Sequence, residues 1–143
     1  MEEDRVEWFR KAINELLQTS IETPTSLDQF FLAKAVQFIN MLEDSQVTYN
    51  LSYVLNYAKP LGMSDRNMRR MCQQIFHTSP AEVINTHLMQ QIATHLVLYP
   101  HEQISGVAFG LGFEHESTFN RFMKRRLNLH PSGFRKEFSN AVF

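Results

Sequence analysis

Apolar residues recur along most of the chain at intervals of three and four, the spacing that puts them on one face of an α-helix. No stretch sustains the period-two alternation of a half-buried strand, so the pattern predicts an all-α fold. A first amphipathic stretch covers residues 4–17, with Val6, Phe9, Ile13 and Leu17 on one face. Residues 19–26, which include Pro24, read as a loop. Ser26 with Gln29 forms a capping box for a second helix, whose apolar positions are Phe30, Leu32, Ala33, Val36, Ile39 and Leu42. Asn50 is placed to cap a third, in which Leu51, Val54, Leu55, Ala58 and Leu61 return at helical spacing.

Pro60 disfavours helix in the residue before it, and Gly62 takes the left-handed turn easily, so the third helix is expected to stop near Lys59. Ser64 then caps a fourth helix with Met68, Met71, Cys72, Ile75 and Phe76 on its inner face. A helix, a tight glycine turn and a capped helix together are the sequence form of a helix-turn-helix. The outer face of the second helix carries Arg66, Asn67, Arg69, Arg70, Gln73 and Gln74, side chains that grip phosphates and read purine edges. Ser79-Pro80-Ala81-Glu82 opens a long helix with Ile84, Leu88, Ile92 and Leu96 inward, ended by Pro100. It reads as a connector.

The chain then repeats itself. Ala58, Leu61 and Gly62 return as Ala108, Leu111 and Gly112, an offset of 50; after one inserted residue the offset is 51. Met68, Met71 and Cys72 answer to Phe119, Phe122 and Met123, Arg70 to Arg121, and Pro80 to Pro131. His77 and Asn128, both tolerant of the left-handed conformation, fall at the same helix-ending position. The second unit therefore places Ile104, Val107, Ala108 and Leu111 on one helix and a recognition-type helix over residues 114–127. Glu114 is a candidate cap, and Glu116, Ser117, Asn120, Arg121, Lys124 and Arg125 face outward. Two copies of one unit, each presenting basic residues, suit two neighbouring major grooves of duplex DNA.

The charge agrees once it is divided. Net charge is -1 overall, but residues 1–57 carry four basic and nine acidic side chains, and residues 58–143 carry ten basic and six acidic. A basic second half is what phosphate binding requires. Cys72 is the single cysteine, which excludes an intrachain disulfide and a cysteine-rich zinc site. No apolar run reaches membrane-span length and the acidic start is wrong for a signal peptide, so no membrane is expected and a cytoplasmic, nucleoid-associated setting is.

These residues resemble a known family. Residues 62–76, and above all 104–135, are similar to the DNA-binding domain of AraC/XylS-type transcription regulators. The resemblance runs over residues 27–138 and rests on Gly112, Phe113, Phe119 and Arg121 together with Pro131, Phe134 and Arg135. It implies seven helices, two helix-turn-helix subdomains joined by a long helix, and one helix from each in successive major grooves. Base and backbone contacts would fall on Arg66, Arg69 and Arg70 in the first unit and on Glu116, Ser117, Asn120 and Arg121 in the second. RNA polymerase would be the partner in activating bacterial transcription. The chain departs from the family pattern at Cys72 and Met123, where an aromatic is usual, at His77 in place of Gly, and at Leu88-Met89 in place of an Arg-Leu pair.

The expected division is an N-terminal helix and linker over residues 1–25, then a tandem DNA-binding domain over residues 26–143. Within that domain the first unit spans about 50–77, the connecting helix about 80–99 and the second unit about 102–128. The family's β-rich effector domain is missing from this sequence, so the chain reads either as a stand-alone regulator or as the output end of a longer protein. Residues 26–31 resemble the start of such output domains in hybrid two-component regulators. Trp8 marks the N-terminal helix as a packing or dimer contact; an upstream domain is the other route to a dimer.

Other chemistries have less to stand on. His87 and His95 are eight apart and His115 adjoins Glu116, with no HExxH-type spacing, so neither a metal nor any other cofactor is expected. Cys72 lies on an apolar helix face and reads as a small core residue. No constellation supports an enzyme. The rival from another class is a helical protein-interaction module of the same fold with weak or lost DNA binding, which the low net charge and the first-unit departures motivate.

Overall fold

The computed structural model describes residues 7, 8, 11, 26–44 and 46–142, and among these every regular element is helical. The α-helices are α1 (Ser26–Asp44), α2 (Leu55–Ala58), α3 (Asp65–Phe76), α4 (Pro80–Leu98), α5 (Ile104–Gly110), α6 (Glu116–Leu127) and α7 (Pro131–Val142); a 3-10 turn covers Tyr49–Leu51. The chain divides into two compact units. One takes Met1–Ser45 and Tyr53–Asn85, the other Gln46–Ser52 and Thr86–Phe143.

In the first unit α1 and α2 both pack on α3. The inner face of α1 is Phe31, Ala35, Phe38, Ile39 and Leu42; Ile39 and Leu42 are buried as expected, but Phe30 and Val36, also expected inside, are 42% and 38% exposed. The reason is an excess of apolar residues. With Phe30 and Phe31 adjacent and apolar side chains nearly all round, two faces satisfy the helical period, and packing against α3 selects the one through Phe31. Ser26 is itself helical, inside the element it was expected to cap. Glu7, Trp8 and Lys11 are helical, and the Trp8 ring stacks on Phe76 at 5.4 Å, which makes Trp8 a packing residue; the rest of the 4–17 stretch and residues 19–25 lie outside the described residues.

The third expected helix is the largest correction. Only Leu55–Ala58 is α-helical, and the segment before it is a 3-10 turn preceded by Thr48, so Asn50 caps nothing. Leu51 and Leu55, expected inside, are 54% and 71% exposed; Tyr57, Ala58 and Leu61 are buried. The helical ladder skips Pro60, which has no N–H, and resumes with Leu61 N–H donating to the Tyr57 carbonyl at 3.2 Å.

The remaining elements follow their sequence signals. Ser64 Oγ accepts from Asn67 N–H at 3.1 Å at the start of α3, and Ser79 Oγ accepts from Glu82 N–H at 3.2 Å at the start of α4. Met68, Met71, Cys72, Ile75 and Phe76 are buried on α3, and Ile84, Leu88, Ile92 and Leu96 on α4. Each such large side chain contributes about 1.5–3 kcal/mol of transfer free energy. In the second unit α6 packs on both α5 and α7, around Val107, Ala108, Leu111, Phe113, Phe119, Met123 and Phe134. α6 begins at Glu116, later than expected, with His115 at its N-cap; Glu114 is not a cap. With no side-chain oxygen at His115 to accept a first-turn N–H, α6 starts uncapped.

The internal repeat is also a repeat of backbone geometry. Gly62 and Gly112 have φ of 65° and 87°, and His77 and Asn128 have φ of 58° and 57°. Met63 N–H reaches the Ala58 carbonyl at 3.0 Å and Gly62 N–H that of Lys59 at 3.1 Å. Phe113 to Ala108 and Gly112 to Phe109 repeat both bonds at 3.0 and 3.1 Å. This is a Schellman turn made twice, each time sealed by a buried side chain, Met63 or Phe113, one residue past the glycine.

Candidate nucleic-acid interface

The Schellman turn determines which face of the following helix is free. In the first unit it delivers α3 with its apolar side inward, so Arg66, Arg69, Arg70, Gln73 and Gln74 stand in solvent and Asn67 is half-buried at the first turn. Partial commitments hold several of them. Arg69 pairs with Asp65 at 3.0 Å, both side chains about two-thirds exposed or more (67% and 71%), which makes the pair easy to exchange for another anion. The Arg70 guanidinium lies 6.0 Å from the Phe31 ring centroid, and Gln74 Nε2 donates to Asp28 Oδ1 at 2.7 Å. Arg69, Arg70, Gln73, Gln74 and Ser79 line one open concavity of about 500 Å³.

In the second unit Glu116, Ser117, Arg121, Lys124 and Arg125 are exposed on α6 and Asn120 is half-buried, while Phe119 and Met123 are in the core. Arg126 turns back over the Phe122 ring at 5.5 Å. Lys124, Arg125 and Arg126 occupy the last turn, where cations are also favoured by the helix dipole. All the residues singled out on α3 lie on one helix of one unit, and all those on α6 on one helix of the other.

Two features escaped the sequence reading. Ser79, absorbed by its capping role, joins Arg69, Arg70 and the two glutamines already expected on the outer face, Gln73 and Gln74, at one concavity. The second is Tyr49, which packs on the turn before α6 and lies outside the repeated unit, so no internal comparison could flag it. Arg135, part of the Pro-x2-aromatic-Arg ending, donates from Nε to the Leu96 carbonyl at 2.8 Å and from Nη2 to that of Tyr99 at 3.3 Å. It closes the C-terminus of α4.

Among the described residues, no group of three His, Cys, Asp or Glu is placed to hold a metal ion. Cys72 is fully buried, and burial pushes its thiol up to about 12, far from a reactive thiolate. His87 is buried, and His95 Nδ1 meets Glu102 Oε2 at 3.1 Å. No described helix is long and apolar enough to cross a membrane.

Comparison with known proteins agrees with the geometry. A family model described as a helix-turn-helix domain matches residues 57–137, a span from α2 into α7 that contains both turns and both outward basic faces. No curated protein and no solved structure matches the chain. With more than half its length matched, the chain belongs to the AraC-type helix-turn-helix family of DNA-binding transcription regulators.

Proposed function

We propose that α3 and α6 are two recognition helices that enter adjacent major grooves of one DNA duplex, and that the chain activates bacterial transcription from that position. The observation that carries this reading is the doubled Schellman turn: the same backbone device, made twice, leaves a basic and amide-bearing helix face exposed each time. Arg66, Asn67, Arg69 and Arg70 form the first reading face. Glu116, Ser117, Asn120 and Arg121 form the second, in which Arg121 suits a guanine edge and Glu116 a cytosine amino group. Lys124 and Arg125, at the far end of α6, suit phosphates. Residues 26–143 act as the tandem DNA-binding domain in the cytoplasm, with 1–25 as an accessory segment and dimer contact, and RNA polymerase as the protein partner.

A duplex selected by the wild-type chain from a random library tests this. Arg121→Ala should cost about 1–3 kcal/mol on that duplex and little on a scrambled one. Lys124→Ala or Arg125→Ala should weaken both duplexes alike and lower the salt slope by about one. Failure of the selection, with binding flat in salt, would reject the reading.

One observation favours a second reading. Several α3 groups are engaged within their own unit, Arg69 by Asp65, Arg70 by Phe31 and Gln74 by Asp28. A protein-interaction module of this fold would keep such pairs, and its affinity for DNA would lack the steep salt dependence of several phosphate contacts.

A further inference from the structure

We propose that Tyr49 is a positioning residue for the second recognition helix, fixing the angle between α5 and α6; this rests on the DNA-reading role given to α6 above. Tyr49 belongs to Gln46–Ser52, a stretch that follows α1 of the first unit in sequence yet belongs to the second, before the chain returns to the first at Tyr53.

The attachment of this segment is specific. The Tyr49 ring stacks on Phe113 at 4.2 Å and 14°, and meets Phe122 edge-on at 5.9 Å and 76°. Phe113 is the residue that seals the Schellman turn, and Phe122 sits on α6 immediately after Arg121. One ring therefore touches both sides of the joint between turn and recognition helix. Tyr49 N–H donates to the Leu111 carbonyl at 2.7 Å, at the C-cap of α5. Val47 is buried, and the Asn50 side chain lies so close to Gly112 that a Cβ there would collide with it.

A loop that only joined two helices would need none of these contacts. A simple apolar plug would need burial but not a stacked ring, because stacked and edge-on aromatic pairs restrict orientation as well as area. Phe113 and Phe122 also meet each other at 5.7 Å, and Phe113 meets Phe119 at 4.9 Å, so removing the Tyr49 ring frees one corner of a cluster on which α6 rests.

The test compares Tyr49→Leu and Tyr49→Phe in the full chain. The first readout is amide hydrogen exchange in α6 relative to α7 of the same molecule. The second is the affinity ratio between the duplex selected by the wild-type chain and a scrambled duplex. Tyr49→Leu should speed exchange in the first half of α6 more than in α7 and lower the ratio by about tenfold, the discrimination of roughly one base pair. Tyr49→Phe should restore both. Equal acceleration of α6 and α7, or a ratio unchanged in Tyr49→Leu, overturns the proposal. A wild-type chain that prefers no duplex rejects the proposed function instead, and the exchange comparison alone then decides whether Tyr49 positions α6.

Discussion

Leu61 and Leu111 stand at the same point of the two repeats, and the carbonyl of each receives a donor from outside its own helix. Lys34 Nζ donates to Leu61 at 2.8 Å, and Tyr49 N–H donates to Leu111 at 2.7 Å. Helix ends leave carbonyls without intrahelical partners, and these two lie beside the turns that lead into α3 and α6. The repeats have kept the requirement and met it differently, once with an ammonium from α1 and once with the backbone of a visiting segment.

Lys34→Met keeps most of the aliphatic stem and removes the donor. A part-buried carbonyl then loses a charge-assisted bond, so the variant should lose about 1–3 kcal/mol, read as a lower urea midpoint at unchanged slope. An unchanged midpoint would mean that water replaces the ammonium without loss.

The two turn glycines should respond unequally to the same change. Gly62 at φ 65° has open space where a Cβ would go, so Gly62→Ala should cost about 1–2 kcal/mol for the left-handed backbone alone. Gly112→Ala adds a collision with Asn50 and should cost more. Adding Asn50→Gly should recover part of the excess at position 112, with a coupling of at least about 0.5 kcal/mol, and nothing at position 62. Equal costs at the two glycines would contradict the close approach of Asn50.

Arg135 ties α7 to the end of α4 through two carbonyls, and its planar fork is what reaches both. Arg135→Ala should destabilise the protein by about 1.5–3 kcal/mol in thermal unfolding. Arg135→Lys should recover less than half of that, since one ammonium cannot reproduce the two-point contact. Full recovery by Lys would reduce the role to charge.

Local signals in the sequence were reliable where one physical cause dominated. Ser64 and Ser79 cap because their oxygens reach the first-turn N–H groups, and Gly62, Gly112, His77 and Asn128 turn because few other residue types tolerate positive φ. The five inward residues of α3 were legible because polar residues fill its other side. On α1 Ile39 and Leu42 were read correctly, while Phe30 and Val36 were placed inside because the apolar positions outnumber one face. Residues 51–54 were misread as α-helix because Leu51 and Val54 keep helical spacing with Ala58, in a segment that leaves α-helix where Tyr49 is seated against Phe113. That contact joins residues more than sixty positions apart, and nothing periodic announces it. The outward residues of α3 and α6 followed directly once the inward ones were known.

Methylation interference on the selected duplex tests the central claim most directly, because a methyl group at guanine N7 blocks major-groove contact base by base. Two helices in successive grooves should give two clusters of interference on one face of the duplex, about 34 Å apart. Arg121→Ala should erase the signal within one cluster and leave the other intact. A single cluster that no α3 substitution alters, or interference spread evenly along the duplex, would contradict a two-headed reader of DNA.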